Sequence, residues 1–277
     1  MPPRVFAIVM LAAVLHASWN AIVKSAPDKL MGTILVAAGT GCVAAVVLPF
    51  LSALARSSWP FLAGSILLQI AYFVLVARTY QVSDMSLTYP LMRGTAPMLV
   101  ALTAGFVLQE RLSALAWAGV GLICAGILLA LLSNRGGPRR GVGLALANAV
   151  IIATYTLIDA VGARRSGSAV AYSLWLFLGA AIPMLGWAVG RRRCIFSAYA
   201  ARYWRQGLAG GIGATASYGL ALWAMTVAPV ALVAALRETS IAAGTLIAAT
   251  ALKERVAPVR WLSAAVIVAG ACALRLA

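Results

Sequence analysis

Acidic residues are scarce in this sequence: six Asp and Glu stand against 22 Lys and Arg in 277 residues, and histidine occurs once. Charge of either sign is scarce, at 10% of the chain. A soluble domain carries roughly a quarter charged residues, so the composition leaves almost no room for one. Cys42, Cys124, Cys194 and Cys272 have neither metal-ligand nor CxxC spacing, which argues against a zinc site or a dithiol redox motif. There is no nucleotide-binding glycine loop, so ATP-driven chemistry would need a separate subunit. The sequence implies neither metal nor cofactor. A net charge of +16 would suggest nucleic acid in a soluble protein. Here the basic residues stand singly or in short clusters between apolar runs, which fits lipid headgroups and topology signals instead.

What fills the chain is apolar: 63% hydrophobic residues and a mean hydropathy of +0.97. A spanning helix needs about 20 mostly apolar residues. Ten segments qualify, at about 4–24, 30–53, 59–78, 86–108, 112–132, 141–161, 169–190, 206–227, 230–251 and 258–276. The first has no convincing small-residue cleavage site after it and reads as a retained span. Short turn segments separate the others. The longest connection, "RRRCIFSAYAARYWR", mixes arginine with aromatics and reads as a short interfacial helix. The pattern predicts an all-α multi-pass membrane protein.

Shifting the chain by 144 positions exposes an internal repeat. Residues 93–126 and 237–270 align without gaps at eleven identities in 34 positions. Arg93 falls on Arg237, Thr95 on Thr239, Glu110 and Arg111 on Glu254 and Arg255, and Trp117 on Trp261. The division is 1–134 and 135–277, five spans in each half. Five is odd, so the halves cross the membrane in opposite senses. Inverted repeats are common in secondary transporters, with the substrate site near the midplane between them.

Ionisable side chains within spans are costly and face a bundle interior or an aqueous cavity. Arg93, in "YPLMRGTAP", and Arg237, in "VAALRETSIAAG", lie about 9 Å and 10 Å along their spans, from opposite faces. They are candidates to bracket one anionic group by guanidinium forks. The alternative is that each snorkels or braces the bundle. Glu238 stands where the first half has Gly94. A carboxyl in a dry cavity exchanges protons near neutral pH, so Glu238 is the first candidate for proton coupling, or else a permanent ion-pair partner. His16, Asn20 and Lys24 lie along one face at i, i+4 and i+8. His16 is the second proton candidate, against a simple packing role. Tyr155 and Asp159 share a face of the sixth span, Asp159 being a third proton candidate or a salt-bridge partner of Arg164. Gln69 and Tyr72 share a face of the third span, and Tyr218 offers an aromatic wall in the eighth. Glu110 and Glu254, in "LQERLS" and "LKERVA", read as structural caps of the helices that follow them.

The duplicated five-span unit resembles the EamA-type branch of the drug/metabolite transporter superfamily. The resemblance rests on "ERLS" and "KERV", each followed by Trp and then Gly, and on "WNAIVK" with Asn20 and Lys24. It implies a helical basket around a central cavity, with the fifth and tenth spans outside as packing or dimer surfaces. Together these readings predict a permease, an exporter by expectation, in the plasma (cytoplasmic) membrane. It would move a small polar anionic or zwitterionic metabolite such as an amino acid, with protons as a possible partner. A membrane-embedded enzyme using Asp159 and His16 on a lipid-linked substrate, and a non-transporting accessory protein, are the rival readings; the chain is expected not to be an enzyme. Of twenty basic residues outside the two buried arginines, fourteen lie on the face opposite the termini. The positive-inside rule therefore puts the termini outside, whereas the resemblance implies termini inside.

Overall fold

The computed structural model describes residues 1–82, 85–129 and 141–277. The boundary expected at 134/135 and the turn "SNRGGPRR" lie outside the described residues. Among the described residues the regular structure is entirely helical. The helices are α1 (Pro3–Ser25), α2 (Lys29–Val47), α3 (Trp59–Val82), α4 (Met85–Val107), α5 (Ala114–Leu129), α6 (Val142–Arg165), α7 (Ala169–Val227), α8 (Val230–Arg237), α9 (Ser240–Thr250) and α10 (Pro258–Leu276).

Local chemistry sets many of the boundaries. Pro27 forces Ala26 into extended backbone and ends α1. The Asp28 carboxylate accepts from the Met31 N–H at 3.0 Å and starts α2. Gly141, at φ 101°, precedes α6. The Ser168 hydroxyl accepts from the Ala171 N–H at 3.2 Å at the start of α7. Pro229 and Pro258 stand where helix N-termini have N–H groups to spare.

Eight helical stretches among the described residues are long and apolar enough to cross a membrane. Large apolar side chains such as Phe50, Leu67 and Phe106 lie on the outside, as lipid-facing surfaces require. The chain is an integral, multi-pass membrane protein. Contacts define two ends of the bundle. At the terminal end, Arg275 donates to the Met1 carbonyl at 3.1 Å and the Ala55 N–H to the Ser166 carbonyl at 3.2 Å. At the distal end, Lys24 meets Glu254 at 2.7 Å and the Tyr199 hydroxyl reaches the Asp28 carbonyl at 3.5 Å.

Four expectations need correction. The second span, expected to reach residue 53, is shorter: α2 ends at Val47 and a 3₁₀ turn, Leu48–Phe50, with Pro49 inside it, completes the stretch. "RRRCIFSAYAARYWR" is no separate interfacial helix: the helix is interrupted at Arg192 (φ −140°, ψ 35°), and beyond it the segment runs on into the eighth span within α7. At 1.5 Å per residue α7 would measure about 88 Å straight, so the bend divides it. The ninth span is likewise two helices, α8 and α9, broken at Glu238 and Thr239. The Thr239 hydroxyl turns back on the Leu236 carbonyl at 2.7 Å and competes with the helical ladder. Finally, Glu110 and Glu254 do not cap the helices that follow them. The Ala116 N–H near the start of α5 donates to Ser113 Oγ at 3.1 Å, and Glu110 caps α8 instead.

The corresponding positions of the two halves share local geometry. Gln109 (φ 54°) and Lys253 (φ 53°) both adopt left-handed backbone, 144 residues apart. After each, a glutamate N–H closes the preceding helix: Glu110 on the Ala104 carbonyl at 3.3 Å, Glu254 on the Ala248 carbonyl at 2.9 Å. Both bonds reach back over six residues, one more than the six-to-one bond of a Schellman ending. α5 and α10 pack antiparallel. A Cβ on Gly126 would meet Ile267, and one on Gly270 would meet Ile123, the same contact with the halves exchanged. Elsewhere Gly39 of α2 sits against the backbone of Gly207 and Gly211 in α7, a G-x-x-x-G pair that permits a close helix approach.

Candidate functional site

Arg93 and Arg237 both occupy irregular places in their helices. Pro90 and Pro97 lie inside α4, and Pro97 has no N–H to offer the Arg93 carbonyl one turn earlier. Arg237 is the last residue of α8, at the break. Both line one small cavity, with Pro97, Tyr155, Thr156 and Glu238 among the other walls. Its free space is ≈ 20 Å³, room for about one water and for no metabolite.

The two cations are treated differently. Glu238 fills the Arg93 fork: Nε to Oε2 is 3.0 Å and an Nη to Oε1 is 2.8 Å. The side chains are 13% and 8% exposed, and the bond joins α4 to the α8–α9 break. Arg237 has no carboxylate within ion-pair distance among the described residues. Its guanidinium lies 5.0 Å over the Tyr218 ring, a cation–π seat. The Tyr218 hydroxyl in turn donates to Asp159, as does Tyr172 at 3.1 Å. Asp159 is fully buried. Arg237, Tyr218 and Asp159 therefore form a continuous chain from the cavity wall into the protein.

Of the residues singled out in sequence, Arg93, Arg237, Glu238 and Tyr155 meet in the cavity wall. Tyr72 stacks edge-on to Tyr155 at 6.2 Å, and Tyr218 and Asp159 stand behind Arg237. His16 lies within electrostatic reach of both arginines and packs edge-on against Trp19 at 5.2 Å. Asn20 is turned onto its own helix, donating to the His16 carbonyl at 2.7 Å. Gln69 donates to the Ser65 hydroxyl at 3.5 Å. Neither Asn20 nor Gln69 lines the cavity. The salt bridge expected between Asp159 and Arg164 is replaced: Arg164 goes to Glu110 at 3.2 Å and to the Met225 and Ala228 carbonyls at 2.9 and 3.4 Å. Five residues on a helix is about 140° of rotation, which points the two side chains apart.

Three contributors escape the sequence reading: Tyr172, Thr156 and Pro97. Thr156 follows Tyr155 directly and carried a usable signal, a hydroxyl one step from a polar face. Among the described residues no group of three or more His, Cys, Asp and Glu is arranged to hold a metal ion.

Comparison with known proteins agrees with this architecture. A solved chain titled only "Crystal structure of protein" superposes with a TM-score of 0.75 at 21% identity, covering 98% of this chain and 95% of that one. At that identity the likeness concerns the fold alone. No curated protein matches the sequence. Residues 139–276 match the EamA-like transporter family. Through this second half, the chain belongs to the EamA-like transporter family of membrane proteins.

Proposed function

We propose that this protein is a secondary transporter, an exporter in the plasma (cytoplasmic) membrane, for a small polar anionic or zwitterionic metabolite such as an amino acid. One observation carries the reading: Arg237 is a half-buried cation on a cavity wall, seated on an aromatic ring and with no carboxylate within ion-pair distance among the described residues. An anionic group on the substrate takes that guanidinium fork. Glu238 lies in the same wall. It receives a substrate ammonium or a proton when the Arg93 fork lets it go. His16 and Asp159 serve the proton pathway.

The mechanism is rocking of two inverted five-span halves, ten spans in all, about this site. The antiparallel α5–α10 pairing and the matched turns at Gln109 and Lys253 support that division. So do two ion pairs that cross between the halves, Arg164–Glu110 at the terminal end and Lys24–Glu254 at the distal end. Closing at one end while the other opens is what alternating access demands. The rival enzyme reading paired Asp159 with His16, yet Asp159 is bonded to two tyrosines and His16 packs on Trp19.

Purified protein in proteoliposomes tests the proposal against a panel of metabolites, with and without a pH gradient. Movement of at least one small anionic or zwitterionic solute, lost in Arg237→Ala, is expected. A panel in which nothing moves, or an Arg237→Ala variant that transports normally, sinks it.

A further inference from the structure

We propose that Glu110 and Arg164 are positioning residues that act on the binding site through α8, which works as a strut between the terminal-end ion pair and the cavity. This rests on the transporter reading above, and its first measurement needs no substrate.

The contacts run without a gap. Glu110 Oε1 accepts from the Val230 N–H at 2.9 Å and from Arg164 at 3.2 Å, and Oε2 accepts from the Ala231 N–H at 3.3 Å. A carboxylate from the first half thus closes the N-terminus of a helix in the second, where free N–H groups and the helix dipole favour negative charge. Arg164 anchors the same point through the Met225 and Ala228 carbonyls on the other side of Pro229. The Glu110 side chain is 10% exposed, so water is a poor substitute for these partners.

From there α8 runs eight residues, Val230–Arg237, about 12 Å. Val230 to Leu236 are all buried. A packed helix of this length moves as one body, since close-packed interiors transmit displacement. Its far end carries Arg237 and leads directly into Glu238, the carboxylate in the Arg93 fork. The break at Glu238 and Thr239 uncouples α9 and supplies a hinge. Releasing Glu110 therefore displaces Arg237 and Glu238 together.

The distal pair has no such linkage. Lys24 and Glu254 are 52% and 39% exposed, and among the described residues the Glu254 carboxylate caps no helix N-terminus. The two cross-half pairs occupy related places, but one is wired to the site and the other is a surface latch. Opening at the terminal end and reshaping of the site are one event; opening at the distal end is not.

The test uses the full chain with its four native cysteines replaced by serine and a reporter at the cavity wall, Ala234→Cys. Aqueous maleimide labelling in detergent is compared for the parent, Glu110→Ala, Glu110→Gln and Glu254→Ala. Glu110→Ala is expected to raise the labelling rate about tenfold, within the range of ordinary coupling between sites. Glu110→Gln keeps an acceptor oxygen and should fall between; it also provides the measurement should the alanine variant not fold. Glu254→Ala should change labelling less than about twofold, as for an exposed pair. In proteoliposomes the Glu110 variants should raise KM for the transported solute with little loss of folded protein, a split that a purely structural role would not give. Equal effects of Glu110 and Glu254 substitutions, or unchanged labelling in both Glu110 variants, overturns the strut. Labelling that behaves as described in a protein that moves no solute would instead keep the strut and discard the transport reading.

Discussion

Replacing Glu238 by glutamine should destabilise the protein far more than one lost ion pair at a surface would. The Arg93–Glu238 pair is bidentate and nearly enclosed, at 3.0 and 2.8 Å with exposures of 13% and 8%. Removing one partner of a buried pair costs about 3–5 kcal/mol, because the remaining charge is stranded. Glutamine keeps one acceptor oxygen for the guanidinium, which sets the expected loss near the lower bound, about 3 kcal/mol. Arg93→Met strands the carboxylate instead and should cost about as much. The double variant strands nothing, so its loss should be smaller than the sum of the single losses by about 2 kcal/mol or more. Equilibrium unfolding of all four proteins in one detergent gives the cycle directly. Single losses under about 1 kcal/mol, or additivity within about 0.5 kcal/mol, would show that the pair does not hold α4 to the α8–α9 break.

Arg237→Ala should weaken binding of the transported anion by about 1.5–3 kcal/mol, the worth of a hydrogen bond to a charged group. Arg237→Lys should recover part of that through its charge and not its fork; ligand-induced thermal stabilisation reads both. Gly211→Val should cost about 1–3 kcal/mol or more, because its side chain would fall on the backbone of Gly39 and Thr40. Gly64→Ala, where an added Cβ meets nothing, should be neutral or stabilising by up to about 1 kcal/mol; unfolding midpoints compare the two. Lys24→Ala should cost less than about 1 kcal/mol, and salt should erase the difference, since its pair with Glu254 is exposed.

The placing of Arg93 and Arg237 in one wall was legible because a charge inside an apolar run has few places to go, and because the repeat matched the two. Their different fates were not. Which carboxylate closes which fork depends on how α4 meets the α8–α9 break, a tertiary fact with no local signature. The error over "RRRCIFSAYAARYWR" has a simple cause. Polarity marks where a segment leaves the apolar layer, whereas helix continuation depends on backbone hydrogen bonds. From Arg193, just beyond the break at Arg192, to Gln206 there is neither glycine nor proline to interrupt them. Hydropathy also ran straight across the α8–α9 break, since Thr239 and Ser240 barely lower the average of their window. Asn20 and Gln69 looked like cavity residues because a polar stripe in a span must face something; each instead found a partner one turn away on its own helix.

The seam between α5 and α10 bears on how one fork came to be closed and the other open. Gly126 on Ile267 and Gly270 on Ile123 make a self-complementary contact of the sort that joins two identical subunits. In a symmetric pair of identical five-helix chains, any carboxylate beside one arginine would also stand beside the other, and both forks would be filled. Covalent union of unlike halves lifts that constraint. Position 94 holds a glycine, where an added Cβ would already press on the Leu128 and Ile127 side chains, while position 238 holds the glutamate. A single chain can thus keep one guanidinium as a brace and leave its counterpart vacant, a division of labour closed to a homodimer.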